Sequence, residues 1–269
     1  MNMKLKSLLG AAITSACVLG AAPSHAAYVY DGWQLDTNGA GLASLTKNIG
    51  HLNLSGGFAD VKQELIGGAP VAGARFTEMG AIYSISYTKE NLPGANDFGV
   101  PLTLDNGLTL QVAFTNLEGH VTSFNSGTGA IDYVFTGFGA GGGMVLQGSM
   151  NGGTTWTNLA EFSTATGGGS LNNFYGAAGT NGDSTLTSPF DSVNYTAGLL
   201  KDSAGNALDP LVLASRLFIA VRTNNEISSP ASAPYACDMD GDGNNNETCV
   251  NLLVTSNGSA NLIPEPAVL

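Results

Sequence analysis

Residues 108–117 fix the structural class of this chain. Leu108, Leu110, Val112 and Phe114 alternate there with Thr109, Gln111 and Thr115, and a period of two sends one set of side chains to a buried face and the other to water. A strand with one apolar face must be covered by a second layer. Residues 75–88 continue the signal through Phe76, Met79, Ile82, Ile85 and Tyr87, with Gly80 marking a bend or bulge. Glu78 lies within this strand and is expected to face solvent. Further strands are predicted at 28–35, where Trp33 enters the core, and at 49–54, 130–138, 143–150, 217–221 and 250–256.

Helical signals are weak by comparison. The run 59–66 is the best short helix, stopped by Gly67 and Gly68. Residues 189–200 hold a strand or short helix, and 164–182, rich in Gly, Thr and Asn, form a long loop around a short element at 171–175. Glycine accounts for 37 of 269 residues and charged side chains for 11%, the profile of short strands joined by polar turns. The expected fold is all-β: a jelly-roll-like β-sandwich with long Gly/Asn-rich loops, forming one domain over 27–256, with 257–269 as an exit linker.

The N-terminus reads as a secretory signal. Lys4 and Lys6 precede an uncharged apolar run at 8–22, and Ser24-His25-Ala26 supplies small residues before the cut. The run falls short of the roughly 20 apolar residues that cross a bilayer, so residues 1–26 are expected to be removed and the rest secreted. Cys17 leaves with the leader. The net charge of −12 becomes more negative when Lys4 and Lys6 are lost. That balance disfavours nucleic acid and anionic membranes and suits divalent cations outside the cell.

Two cysteines remain, Cys237 and Cys249, and in an oxidising compartment they have one intramolecular pairing. Closing a loop of this size is worth about 3 kcal/mol in the chain-entropy model. Zinc is the weaker alternative, because no nearby histidine completes a tetrahedral set. Between the cysteines runs Asp238-Met239-Asp240-Gly241-Asp242-Gly243-Asn244. Carboxylates at the first, third and fifth positions, a glycine at the sixth and a carbonyl at the seventh can wrap a hard cation. The run resembles the calcium loops of EF-hands, dockerins and thrombospondin-type repeats, which implies Asp238, Asp240, Asp242 and Asn244 as ligands. Those families place Glu or Asp twelfth; here that position is Cys249, and Glu247 is the available carboxylate. The alternative is a solvated acidic turn closed by the disulfide.

The sequence contains no Gly-x-Ser-x-Gly, no His-Glu-x-x-His and no Lys-bearing phosphate loop, so no catalytic residue is assigned. His51, in the strand at 49–54, and His120, in the turn after 108–117, read as surface or satisfied side chains. Residues 149–156, Ser-Met-Asn-Gly-Gly-Thr-Thr-Trp, resemble the Asp-box hairpin of sialidases and other β-propellers, with Asn151 in place of Asp. A single copy without a repeat implies a turn that buries Trp156 and not a propeller blade.

Pro264-Glu265-Pro266 closes a Ser/Asn/Gly-rich segment and opens into Ala267, Val268 and Leu269. Together with the export signal it resembles the sorting signal of PEP-CTERM proteins, which Gram-negative bacteria export and process with an exosortase. In that family an apolar membrane segment and a basic cluster follow the motif. Neither follows here, so the signal reads as truncated and membrane contact as transient. The resemblance, more specifically to the flocculation-associated type, implies a secreted non-enzymatic surface or matrix protein with a calcium-stabilised loop. Its implied partners are exosortase-type machinery and extracellular polysaccharide or the cell surface, with a role in flocculation or biofilm. The competing reading is a carbohydrate-binding module or glycan-degrading enzyme. That reading needs exposed aromatic side chains along a groove, for which Tyr83, Tyr87, Trp156, Tyr175 and Tyr195 are candidates.

Overall fold

The computed structural model describes residues 32–89, 100–175, 180–229 and 231–264. The leader, the first half of the strand expected at 28–35, and Glu265 and Pro266 of the terminal motif lie outside the described residues. In chain order the strands are β1 (Trp33–Asp36), β2 (Leu45–Ile49), β3 (His51–Leu65), β4 (Arg75–Thr88), β5 (Leu102–Thr103), β6 (Thr109–Asn125) and β7 (Ala130–Ser149). They continue with β8 (Thr157–Phe162), β9 (Thr166–Leu171), β10 (Asn181–Pro189), β11 (Leu200–Lys201), β12 (Leu217–Ser229), β13 (Tyr235–Cys237) and β14 (Glu247–Pro264). One short helix, α1 (Asp209–Leu213), precedes β12.

The all-β expectation holds, and the long strands close on themselves. β3, β4, β6, β7, β9, β10, β12 and β14 pair antiparallel in that order, and β14 then pairs with β3 from Thr248↔Leu65 to Ala260↔Leu52. Every edge in this ring has a partner, which removes the exposed ladder that an open sheet presents. Strands that follow one another along the chain lie side by side, so the connections are hairpins and not the Greek-key crossovers of a jelly roll.

At one end the ring parts and becomes sandwich-like. β7 pairs with β9 over Ile131 to Phe135 but with β8 over Met144 to Gly148. A second sheet, ordered β11-β1-β2, covers this end and sends Trp33 and Leu35 in against Leu52, Leu110 and Leu262. Burying a leucine completely is worth about 1.5–3 kcal/mol, so this plug is a major part of the core. A second apolar cluster around Phe76, Leu117, Phe135 and Leu252 fills the closed end.

The wall obeys the period of two. Along β12, Val221, Thr223, Asn225 and Ile227 point inward, while Arg222, Asn224 and Glu226 are exposed.

Several local expectations are corrected. The run 59–66 is strand: Ala59, Val61 and Gln63 pair with β14 on one side and β4 on the other, and pairing on both sides outweighs local helical preference. Gly167, Gly168 and Gly169 belong to β9, held between β7 and β10; a Cβ on Gly168 or Gly169 would run into the backbone of those neighbours. His120 lies within β6, which continues to Asn125. The strands expected at 130–138 and 143–150 are one strand with a bulge, since Thr115 pairs with Gly143 and Leu117 with Phe138. Residues 257–264 are no linker: they complete β14 and pair with β12.

Leu262 is 2% exposed within the plugged end. Leu262→Ala is expected to lower the unfolding free energy by about 2–5 kcal/mol, read from urea denaturation, whereas a linker residue would leave it unchanged.

Candidate functional site

Cys237 and Cys249 form the expected disulfide, with Cα atoms 5.9 Å apart. They clamp the acidic loop between β13 and β14, beside the closed end of the ring. Gly243, the sixth residue of the loop, has φ 85°, a left-handed turn that glycine adopts without strain. The loop is stitched by its own carboxylates. Asp238 accepts from the N–H groups of Gly241 (2.7 Å) and Gly243 (3.0 Å), Asp240 from Asp242 (3.1 Å), and Asp242 from Asn244 (2.7 Å). Hydrogen bonds from the side chain and backbone of Asn244 hold the Asp242 carboxyl below its ordinary range.

Three of the carboxylates named from sequence converge. Single oxygens of Asp238, Asp240 and Glu247 lie within 4.8 Å of one another, and Asp242 is not in that group. Glu247 is also engaged by protein cations and donors. Arg75 Nη2 lies 3.4 Å from Glu247 Oε1, and the same guanidinium reaches Glu64 Oε2 through Nε, also at 3.4 Å. The Met239 N–H donates to Glu247 Oε2 at 3.3 Å, and Lys62 Nζ donates to the Asp238 carbonyl at 2.9 Å. These residues could supply three of the roughly six to eight oxygens that a calcium-type ion takes, and Arg75 and Lys62 offset part of the same negative charge.

The aromatic candidates separate. Tyr87 is buried in the core, Tyr195 packs against Phe190 with its hydroxyl accepting from the Leu200 N–H, and exposed Tyr175 packs against Phe124 and Phe174. Tyr83 and Trp156 come together, with ring centroids 6.1 Å apart. The hairpin after β7 positions the tryptophan. Ser149 Oγ donates to Asn151 Oδ1 (2.8 Å) and accepts from the Gly153 N–H (2.9 Å), while Asn151 accepts from the Thr155 N–H (3.0 Å). Asn151 thus performs the turn-closing role of the Asp in the motif. Trp156 is half-buried and lies on the outer wall instead of entering the core.

Beside that pair runs a row of amides that the sequence reading did not single out. Tyr83, Gln111, Gln147 and Asn158 are register partners across β4, β6, β7 and β8. Gln111 Nε2 donates to Gln147 Oε1 at 3.0 Å, and Gln147 Nε2 donates to Asn158 Oδ1 at 2.8 Å. The sequence held only the fact that each is a polar residue in an alternating strand; their alignment is a product of register.

Glu78 is the largest correction. It faces inward, paired with Val61 of β3 and Leu117 of β6, both buried, and lines an interior cavity of about 110 Å³. No described group hydrogen-bonds it. Its parity with Phe76 along β4 was the available signal. Burial pushes the Glu78 carboxyl from 4.5 up to about 7, and burial together with the Glu78 charge raises the Tyr133 hydroxyl.

No family model, curated protein or solved structure matches this chain.

Folded Glu78 keeps its proton until pH is near 7, while the unfolded chain releases it near 4.5. The folded state therefore binds more protons in that window, and this group's contribution to stability falls as pH rises through it. The loss totals about 3 kcal/mol and is complete above pH 7. Urea unfolding of the wild type and Glu78→Gln at stepped pH is expected to show that slope only in the wild type.

Proposed function

We propose that this chain is a secreted, non-enzymatic surface or extracellular-matrix protein of a Gram-negative bacterium that holds exopolysaccharide in flocs or biofilm. Export through residues 1–26 and exosortase-type sorting through Pro264-Glu265-Pro266 would place it there. The observation that carries the reading is the outer-wall row of Tyr83, Gln111, Gln147 and Asn158 beside Trp156. Sugar rings present apolar C–H faces and a rim of hydroxyls, so an aromatic platform next to paired donors and acceptors matches both. A half-exposed row on an outer wall suits a long polymer more than a small substrate, which needs a concave site.

The acidic loop serves this reading as a brace. Asp238, Asp240 and Glu247 would hold calcium between β13 and β14, and the disulfide limits how far the loop can open. In the extracellular setting an ion that binds only the folded form stabilises it by mass action.

Two measurements test the proposal. Trp156→Ala and Tyr83→Ala are each expected to weaken retention on purified exopolysaccharide at least about fivefold, equivalent to about 1 kcal/mol, with thermal unfolding unchanged in cooperativity. Equal retention by the variants and the wild type would refute the outer-wall site. Calcium at about 100 times its Kd is expected to stabilise the oxidised protein by about 2.7 kcal/mol, and chelator or Asp240→Ala to abolish the gain. An unaltered midpoint would reduce the loop to a solvated turn.

A further inference from the structure

The cavity between the two apolar clusters is lined from all eight ring strands, and its two halves differ chemically. Phe58, Phe76, Phe114, Tyr133 and Phe135 come from β3, β4, β6 and β7. The opposite half, from β10, β12 and β14, carries Ser184, Thr223, Asn225 and Ser256. These four bond to one another: Ser184 and Thr223 hydroxyls lie 2.7 Å apart, Asn225 Nδ2 donates to Ser184 Oγ at 3.1 Å, and Ser256 Oγ donates to Asn225 Oδ1 at 2.8 Å. The polar half is satisfied by these bonds and by the Tyr133 hydroxyl, which hydrogen-bonds with Ser184 and Asn225. Glu78, in the aromatic half, is left without a partner.

Among the described residues Glu78 and Tyr133 are the only titratable side chains lining the cavity, and no Lys, Arg or His joins them. From the neighbouring strands Glu78 meets Val61 and Leu117, neither of which can answer a charge. A carboxylate ionised in such a place is costly without a counter-charge. Anionic ligands would add to that cost.

We propose that this cavity is a binding site for a small aliphatic amine, whose ammonium group pairs with Glu78 while its hydrocarbon part lies against the aromatic half. Ring faces attract a cation as well as covering an alkyl chain. An eight-stranded barrel holds at most one small ligand. A cavity of 150 Å³ accepts benzene, so about 110 Å³ takes roughly five non-hydrogen atoms, the size of n-butylamine. Phe58 lines the cavity yet is 41% exposed, beside the bulge between Ser55 and Phe58.

Isothermal titration of the full chain with n-butylamine and, separately, n-butanol tests the site. Saturable one-to-one binding of the amine is expected at pH 8, with butanol at least about tenfold weaker. At pH 5 the amine should bind about a hundredfold more weakly, because a carboxyl titrating near 7 is then ionised about one part in a hundred. Glu78→Gln should abolish amine binding. Ala59→Leu, which fills the cavity and leaves the carboxyl in place, should abolish it too. Absence of amine binding to the wild type, equal binding of butanol, or binding retained by folded Glu78→Gln or folded Ala59→Leu would each overturn the proposal.

Discussion

The whole structure depends on β14 being paired along both edges. It pairs with β3 at the beginning of the ring and with β12 near the end, so the chain's last strand seals its first long one. These contacts have large sequence separation, and their ordering entropy is repaid only when the ladder on both sides is complete. Closure also explains why glycine is tolerated in strand interiors. β9, with Gly167, Gly168 and Gly169, is supported by β7 and β10 along its length and needs no side-chain packing of its own.

Closure gives the chain an inside and an outside with separate chemistry. The plugged end is dry and apolar through Trp33, Leu35 and their neighbours, whereas the middle of the ring keeps a carboxyl, a phenol and a belt of hydroxyl and amide groups. A partnerless Glu78 costs stability, and such costs are typically kept where a site needs them. The outer wall carries the hydrogen-bonded row of glutamine and asparagine. The two surfaces use opposite faces of the same strands: Val112 and Leu146 point in, and their chain neighbours Gln111 and Gln147 point out.

The acidic end balances charge by bringing distant residues together. Arg75 at the start of β4 links Glu64 of β3 to Glu247 of β14, and Lys62 holds the loop through the Asp238 carbonyl. The loop is thus tied to the barrel by side chains as well as by the disulfide. Its carboxylates point partly at their own backbone, which fixes a compact turn before any ion is considered.

Periodicity by itself determined that the chain is all-β, because the alternation at 75–88 and 108–117 admits only strands with one buried face. Cysteine count and spacing determined the disulfide, and the Ser-x-Asn-Gly-Gly-Thr-Thr-Trp run determined the hairpin, since both depend on residues close in sequence. Tertiary structure alone decided that 59–66 is strand, that 257–264 is the sealing strand, and that Glu78 faces inward. It also decided that Tyr83 meets Trp156. Each of these turns on register or closure between segments far apart in the chain. A one-residue change of register reverses every facing, and that register is settled by pairing partners that no local pattern specifies.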